Sequence, residues 1–300
     1  MTGHKACSNC GHPLNDSARF CPNCGRDVTA PDATVALAAP AAAVPAARPS
    51  DEPVDEQPRW RALEGLAIFL IAIIATVIVS LPLGFVLRPV SNCGALPAAQ
   101  GAACLDHRDL LLALTTGVNE LALLVTVLLW IRLVHKQRAR ALGFKGLTAA
   151  NAGMGIGIGL AGLLVAGIIS QVQAAIIQSF THRTVEAPKQ ITLQHNPQAI
   201  SLAIIALSVV VLAPLAEEAF FRGFIFRRLA QRYRVGVAIV VSAVIFGLAH
   251  LIPLVMIPIF GLGVLLASIV YARKSIVPSI FAHATFNGIQ IAILIARKQY

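Results

Sequence analysis

Glu217 and Glu218, with Arg222 one helical turn on, stand in Pro214-Leu-Ala-Glu-Glu-Ala-Phe-Phe-Arg222, at the end of an apolar run that begins near Leu202. One acidic side chain at the centre of a membrane helix costs roughly 2.5 to 3.5 kcal/mol, so paired carboxylates there mark a functional site. A helix end among the lipid headgroups is the competing reading. Two histidines decide between them. His250 closes Phe246-Gly-Leu-Ala-His250, and His283 and Asn287 stand i,i+4 on one face of another apolar segment. Glu218 and His250 are 32 positions apart, and a break near Arg234 to Gly236 divides that interval into nearly equal arms. At about 1.5 Å per residue, a hairpin folded there returns His250 to the depth of Glu218, both roughly 20 to 24 Å from the turn.

The chemistry that suits such a set is peptide hydrolysis inside a membrane. It needs a water held beside a base, and donors for the oxyanion that forms on the carbonyl. Adjacent helical residues point about 100 degrees apart, so the two carboxylates can do different jobs. Arg222 is expected to keep Glu218 ionised and to orient the helix, leaving Glu217 to take a proton from water. His250 would hold that water, with His283 and Asn287 at the oxyanion. Two histidines and a carboxylate also make a catalytic zinc set, and that alternative stays open. Asn287 favours the metal-free version, because an amide is a better oxyanion donor than zinc ligand.

The succession Glu-Glu-x-x-x-Arg, Phe-x-x-x-His, His-x-x-x-Asn, in that order, resembles the CPBP family of intramembrane proteases. That family includes type II CAAX prenyl proteases and bacterial bacteriocin-processing, Abi-like relatives. The resemblance spans about Leu202 to Arg297 and includes the Arg-Lys-Ser-Ile-Val-Pro-Ser-Ile approach to His283. It implies an intramembrane endopeptidase of the glutamic type, a metal-dependent form being described for the family as well.

Composition agrees with a polytopic all-α membrane protein: 57% of the 300 residues are hydrophobic, 13% are charged, and the mean hydropathy is +0.75. About seven spans are expected, at 63–87, 109–133, 152–179, 199–216, 235–251, 254–271 and 276–296, the fifth and sixth being open to a partial crossing. The run Gly153, Gly155, Gly157, Gly159 and Gly162 reads as close helix packing in lipid. Arg59 and Arg61, the cluster Arg132 to Lys145, the cluster Arg222 to Arg234, and Arg273 with Lys274 all fall on one side of this arrangement. By the positive-inside rule that side and the N-terminus are cytoplasmic, in a plasma-membrane protein. The net charge of +10 therefore reports topology. Nucleic acid is not an expected partner, since no aromatic platform accompanies the split basic loops.

The first residues do not read as a cleavable signal peptide. Cys7-Ser-Asn-Cys10 and Cys21-Pro-Asn-Cys24, ten residues apart and each followed by glycine, read as a zinc ribbon: four thiolates close a tetrahedral structural site. The expected domains are this ribbon at 1–27, a disordered Ala/Pro-rich tether at 28–58, and a transmembrane protease domain at 59–300 with its motif-bearing core at 199–297. The ribbon would be structural or would engage a protein partner, with His4 and His12 as bystanders. Cys93 and Cys104 fall in the first external loop, either bridged or as free thiols. No role is read for His107, His135, His182 or His195. A membrane-associated peptide or protein near the cytoplasmic leaflet is the expected substrate. Competing functions are a non-enzymatic scaffold or immunity protein and a proton-coupled transporter; the intact motifs count against the first and the lack of an internal repeat against the second.

Overall fold

A computed structural model describes residues 13–14, 57–87, 96, 98–182 and 197–296. The chain divides into two compact units, 1–45 and 46–300. Of the first only Pro13 and Leu14 are described, so the ribbon cysteines Cys7, Cys10, Cys21 and Cys24 and nearly all of the tether lie outside the described residues.

The second unit is helical throughout its described residues: α1 Glu64–Leu87, α2 Ala98–Leu133, α3 Ala149–Thr181, a long α4 Ala199–Arg232, α5 Val235–Ala249, α6 Pro253–Arg273 and α7 Val277–Ala296. Six of these are long and apolar enough to cross a membrane; α5, with 15 residues, is the short one. Seven apolar segments were expected, and the fifth is the partial one. Its 15 residues rise about 22 Å, less than a bilayer core of about 30 Å. Leu66, Leu70, Ile74, Ile78, Leu81 and Phe85 of α1 are exposed, as a lipid-facing surface requires.

Two departures from the expected spans shape the site. The helix bearing the diacid does not stop near Ala216. It runs on to Arg232, so Glu217 and Glu218 lie inside a 34-residue helix and not at its end. The break then falls at Tyr233, α5 starts at Val235, and His250 caps α5. Glu218 is then 15 residues before Tyr233 and His250 15 after Val235, the equal-arm hairpin that the spacing predicts.

Glycines set how closely the helices approach. A Cβ on Gly155 would stand 2.4 Å from the Pro278 carbonyl, one on Gly159 2.5 Å from the Ala282 carbonyl, and one on Gly162 2.9 Å from Leu262. Gly153 and Gly157 meet nothing within 4 Å. Gly155 and Gly159 are thus the face on which α7 lies, the helix that carries His283, while Gly162 faces Leu262 of α6. At the other end of α4, a 3₁₀ turn at Ala139–Leu142 sits on Gly223, where a Cβ would be 2.8 Å from the Leu142 carbonyl. Trp60, fully buried, stacks on Phe224 at 4.8 Å and donates from Nε1 to its carbonyl at 2.8 Å. Arg59, Lys136, Arg138 and Arg140 line one cleft, so the basic segments before α1 and after α2 gather at the same end. Cys104, near the start of α2, is disulfide-bonded; Cys93, its expected partner, lies outside the described residues.

Candidate active site

The site is built on irregular stretches of α4. Residues Ser208–Leu212 and Glu218–Phe226 are π-helical, an i→i+5 pattern that recurs at functional sites. Pro214 accounts for part of this. The Ala213 N–H bonds to the Ser208 carbonyl, so the next donor in that register, which would serve Val209, falls on Pro214, which has no N–H. The Val209 carbonyl takes its hydrogen bond from Asn287 Nδ2 instead, at 2.8 Å. Because a carbonyl only accepts, the amide nitrogen of Asn287 must face Val209. Its second N–H and its Oδ1 remain.

Glu218 and Arg222 are fully buried and paired, Arg222 Nη1 donating to Glu218 Oε1 at 2.8 Å. The guanidinium lies 4.0 Å over the Phe246 ring, a cation–π contact, and Nη2 reaches toward the Gly263 carbonyl at 3.5 Å. His283 Nδ1 stands 3.2 Å from the same Glu218 oxygen. Glu218 is thus held by a cation from its own helix and an imidazole from α7. Glu217 is different. Its side chain keeps 17% exposure, its Oε2 makes no hydrogen bond among the described residues, and its nearest basic atom is His283 Nε2 at 4.0 Å.

Phe246 explains the first half of the Phe-x-x-x-His spacing. Its ring meets His250 edge-on at 5.0 Å and His283 at 5.8 Å, while Arg222 covers a face. His250 Nδ1 lies 2.9 Å from the Phe246 carbonyl. A carbonyl cannot donate, so Nδ1 carries the hydrogen and Nε2 of the neutral ring is left with its lone pair. Of the six residues expected at the site, Glu217, Glu218, Arg222 and His283 are joined directly, and His250 is joined through Phe246. Asn287 is one turn past His283 on α7 and is bonded to the π-helical part of α4. Among the described residues no three His, Cys, Asp or Glu side chains gather as a metal-ligand set.

Two other groups were not anticipated. Glu120, in the middle of α2, has a buried Oε2 with no hydrogen-bond partner among the described residues. Its signal in the sequence was the same as that of the diacid, a lone carboxylate inside an apolar helix. His135, to which no role was given, lies with Nε2 2.6 Å from Glu64 Oε2, which also accepts from Trp130 Nε1 at 2.8 Å. That cluster ties the start of α1 to the end of α2.

Residues 199–289 match the family model of type II CAAX prenyl endopeptidase Rce1-like proteins, and residues 7–28 match a zinc-ribbon domain. The first match covers all six site residues and supports an intramembrane endopeptidase; the second supports zinc binding by the N-terminal domain. Neither the curated proteins nor the solved structures gave a match.

Proposed function

We propose that this protein is an intramembrane endopeptidase of the glutamic type, in which Glu217 is the base. The observation that carries the reading is the division of labour within the diacid. Each carboxylate keeps one unbonded oxygen, but Glu218 is fully buried, ion-paired with Arg222 at 2.8 Å and bonded to His283, whereas Glu217 keeps 17% exposure and has its Oε2 4.0 Å from His283 Nε2. A base must reach water and must not have its charge neutralised by a neighbouring cation; Glu217 meets both conditions and Glu218 neither.

In this reading Glu217 takes a proton from a water as its oxygen adds to the scissile carbonyl. His250, with Nδ1–H spent on the Phe246 carbonyl, accepts the water's other hydrogen bond through Nε2. The oxyanion is met by the amide hydrogen of Asn287 not used on Val209 and by His283 Nε2–H, which donates there in the imidazolium form because Nδ1–H is taken by Glu218. Glu218 and Arg222 act on orientation: they fix α4 against α6 and set the plane of the His283 ring. Proton transfer to the leaving nitrogen completes cleavage.

The ribbon's four thiolates, Cys7, Cys10, Cys21 and Cys24, are a donor set that fits structural zinc, which when bound would hold that domain together. The ribbon then serves as a docking module for a protein partner. The basic ends of the helices and the N-terminus face the cytoplasm of a plasma-membrane protein. The bridged Cys104, at the opposite end of α2 from Arg132, supports that orientation, because disulfides persist on the oxidising side. Substrates are membrane-associated peptides or proteins near the cytoplasmic leaflet. Comparing membrane and secreted peptides from cells carrying the wild type and Glu217→Ala tests the function: products should be present only with the wild type, and identical peptide sets would refute it.

A further inference from the structure

The cleft between the segment before α1 and the segment after α2 has no part in the hydrolysis, yet it gathers charge in a formed space. Its volume is about 440 Å³, within the range of about 300 to 1,000 Å³ usual for small-ligand sites. Of its eight described lining residues, Arg59, Lys136, Arg138 and Arg140 are cationic and none is acidic. Like charges repel across such a space, so other groups must hold the walls together. Gln137, buried to all but 4%, does so: its Oε1 accepts from the Arg59 N–H at 3.2 Å, and its Nε2 donates to the Gln57 carbonyl at 2.8 Å. Lys136 takes the left-handed conformation, at φ 53°, that closes α2, and the Gln137 N–H returns to the Ile131 carbonyl at 2.9 Å. The far wall leans on α4, where the Ala141 carbonyl accepts from Arg227 Nε at 3.1 Å.

The level of the cleft and its borders indicate what it holds. Arg59 precedes α1 by five residues and Lys136 follows α2 by three, which puts the cleft at the helix ends, where a bilayer presents its headgroups. Apolar side chains border it. Leu133 and Val134, just before Lys136, are 69% and 54% exposed, and Leu63, just after Arg59, is 86% exposed. Cations edged by exposed hydrocarbon fit a ligand with an anion at one end and acyl chains at the other. A free phosphate would use only the first of these.

We propose that this cleft binds the headgroup of an anionic phospholipid from the leaflet at this end of the helices. Arg59, Lys136 and Arg138 take the phosphodiester, and the acyl chains run past Leu133 and Val134. Guanidinium forks match phosphate oxygens in pairs, and the lysine adds a point charge. Each cation near an anionic membrane surface strengthens binding by about fivefold. The bound headgroup offsets the repulsion among the four cations and ties the segment before α1 to the segment after α2. Through Ala141 and Arg227 it also steadies the end of α4. Binding is independent of the endopeptidase reading and is measured without a substrate.

The full chain in detergent is titrated with dioleoylphosphatidylglycerol and, separately, with dioleoylphosphatidylcholine, and retained lipid is read by native mass spectrometry. The wild type should prefer the anionic lipid by about tenfold or more, and that lipid should raise its thermal unfolding temperature. Lys136→Gln with Arg138→Gln should weaken the anionic lipid by about tenfold or more, while Lys136→Arg with Arg138→Lys keeps the charge and should retain it. Arg232→Gln with Arg234→Gln removes as much charge from exposed positions outside the cleft and should leave the preference in place. Equal losses in the two glutamine variants would mean a diffuse positive surface and no site. Absence of a preference in the wild type would overturn the proposal, as would full displacement of the lipid by millimolar inorganic phosphate, which would make free phosphate the ligand. A preference that emerges only when Asp51, Glu52, Asp55 and Glu56 are changed to amides would make the chain's own acidic segment the occupant and would equally overturn it.

Discussion

Asn287 Nδ2 donates to the Val209 carbonyl at 2.8 Å, filling a bond that the backbone of α4 cannot make because the next residue in register is Pro214. The amide is therefore a brace for α4, and on the glutamic reading it is also a donor to the reaction; the two roles can be separated. Asn287→Ala should destabilise the protein by about 1 to 3 kcal/mol, the cost of an orphaned buried carbonyl. It should also lower kcat by about 10² to 10³, the usual cost of losing an oxyanion donor. Adding Pro214→Ala offers a backbone N–H in place of the lost amide. The double variant should recover thermal stability in detergent without recovering turnover; if turnover returns with stability, Asn287 is a brace alone.

The buried pair of Glu218 and Arg222 gives a second prediction. Removing one partner leaves an uncompensated charge, so Arg222→Met should cost about 3 to 5 kcal/mol of stability. Glu218→Gln in the same chain removes that stranded charge and should restore much of it. Thermal unfolding of the two single variants and the double variant forms the cycle, and additive losses would show that the pair is not coupled.

What the sequence made legible, and what it did not, follows from the kind of signal each element carries. The hairpin that sets Glu218 and His250 at equal distances from its turn was readable because charges and the break near Arg234 to Gly236 punctuate an apolar run. The continuation of α4 to Arg232 was harder to see, since five arginines after Glu218 read like a cytoplasmic loop. In the folded chain the first two are buried: Arg222 is spent on Glu218 and Arg227 donates from Nε to the Ala141 carbonyl at 3.1 Å. The π-helical segments leave no pattern in hydropathy, because a shift from i→i+4 to i→i+5 bonding moves side chains by a fraction of a turn. Glu120 was legible in principle. A carboxylate amid Leu, Val and Ala carries the same argument as Glu217, but without a motif around it nothing drew the eye.

The glycine run of α3 divides by face, and substitutions should follow that division. Gly155→Val and Gly159→Val place carbons against backbone carbonyls of α7, within 2.4 and 2.5 Å of the Pro278 and Ala282 oxygens. Each should cost at least about 1 to 3 kcal/mol and displace His283, lowering activity along with stability. Gly153→Val and Gly157→Val meet open space and should be close to neutral in both assays. Equal damage from the two sets would mean that α3 and α7 do not pack through this face.

The two metal questions separate by experiment. Purified full-length protein should contain about one zinc per chain, held by four thiolates. Cys7→Ser with Cys10→Ser should remove it while leaving peptide-bond cleavage in place. On the glutamic reading that variant is also indifferent to chelators. Chelator-sensitive cleavage restored by added zinc would instead make His250 and His283 ligands and would remove the oxyanion roles of His283 and Asn287.

The account turns on Glu217 as the base, and the most direct measurement is turnover in proteoliposomes of a cleaved substrate by the wild type and by Glu217→Gln. The amide keeps the volume and removes the basic lone pair, so folding in the bilayer should be unchanged. Turnover should fall by about 100-fold or more. A Glu217→Gln protein that keeps more than a few per cent of wild-type turnover would contradict the assignment.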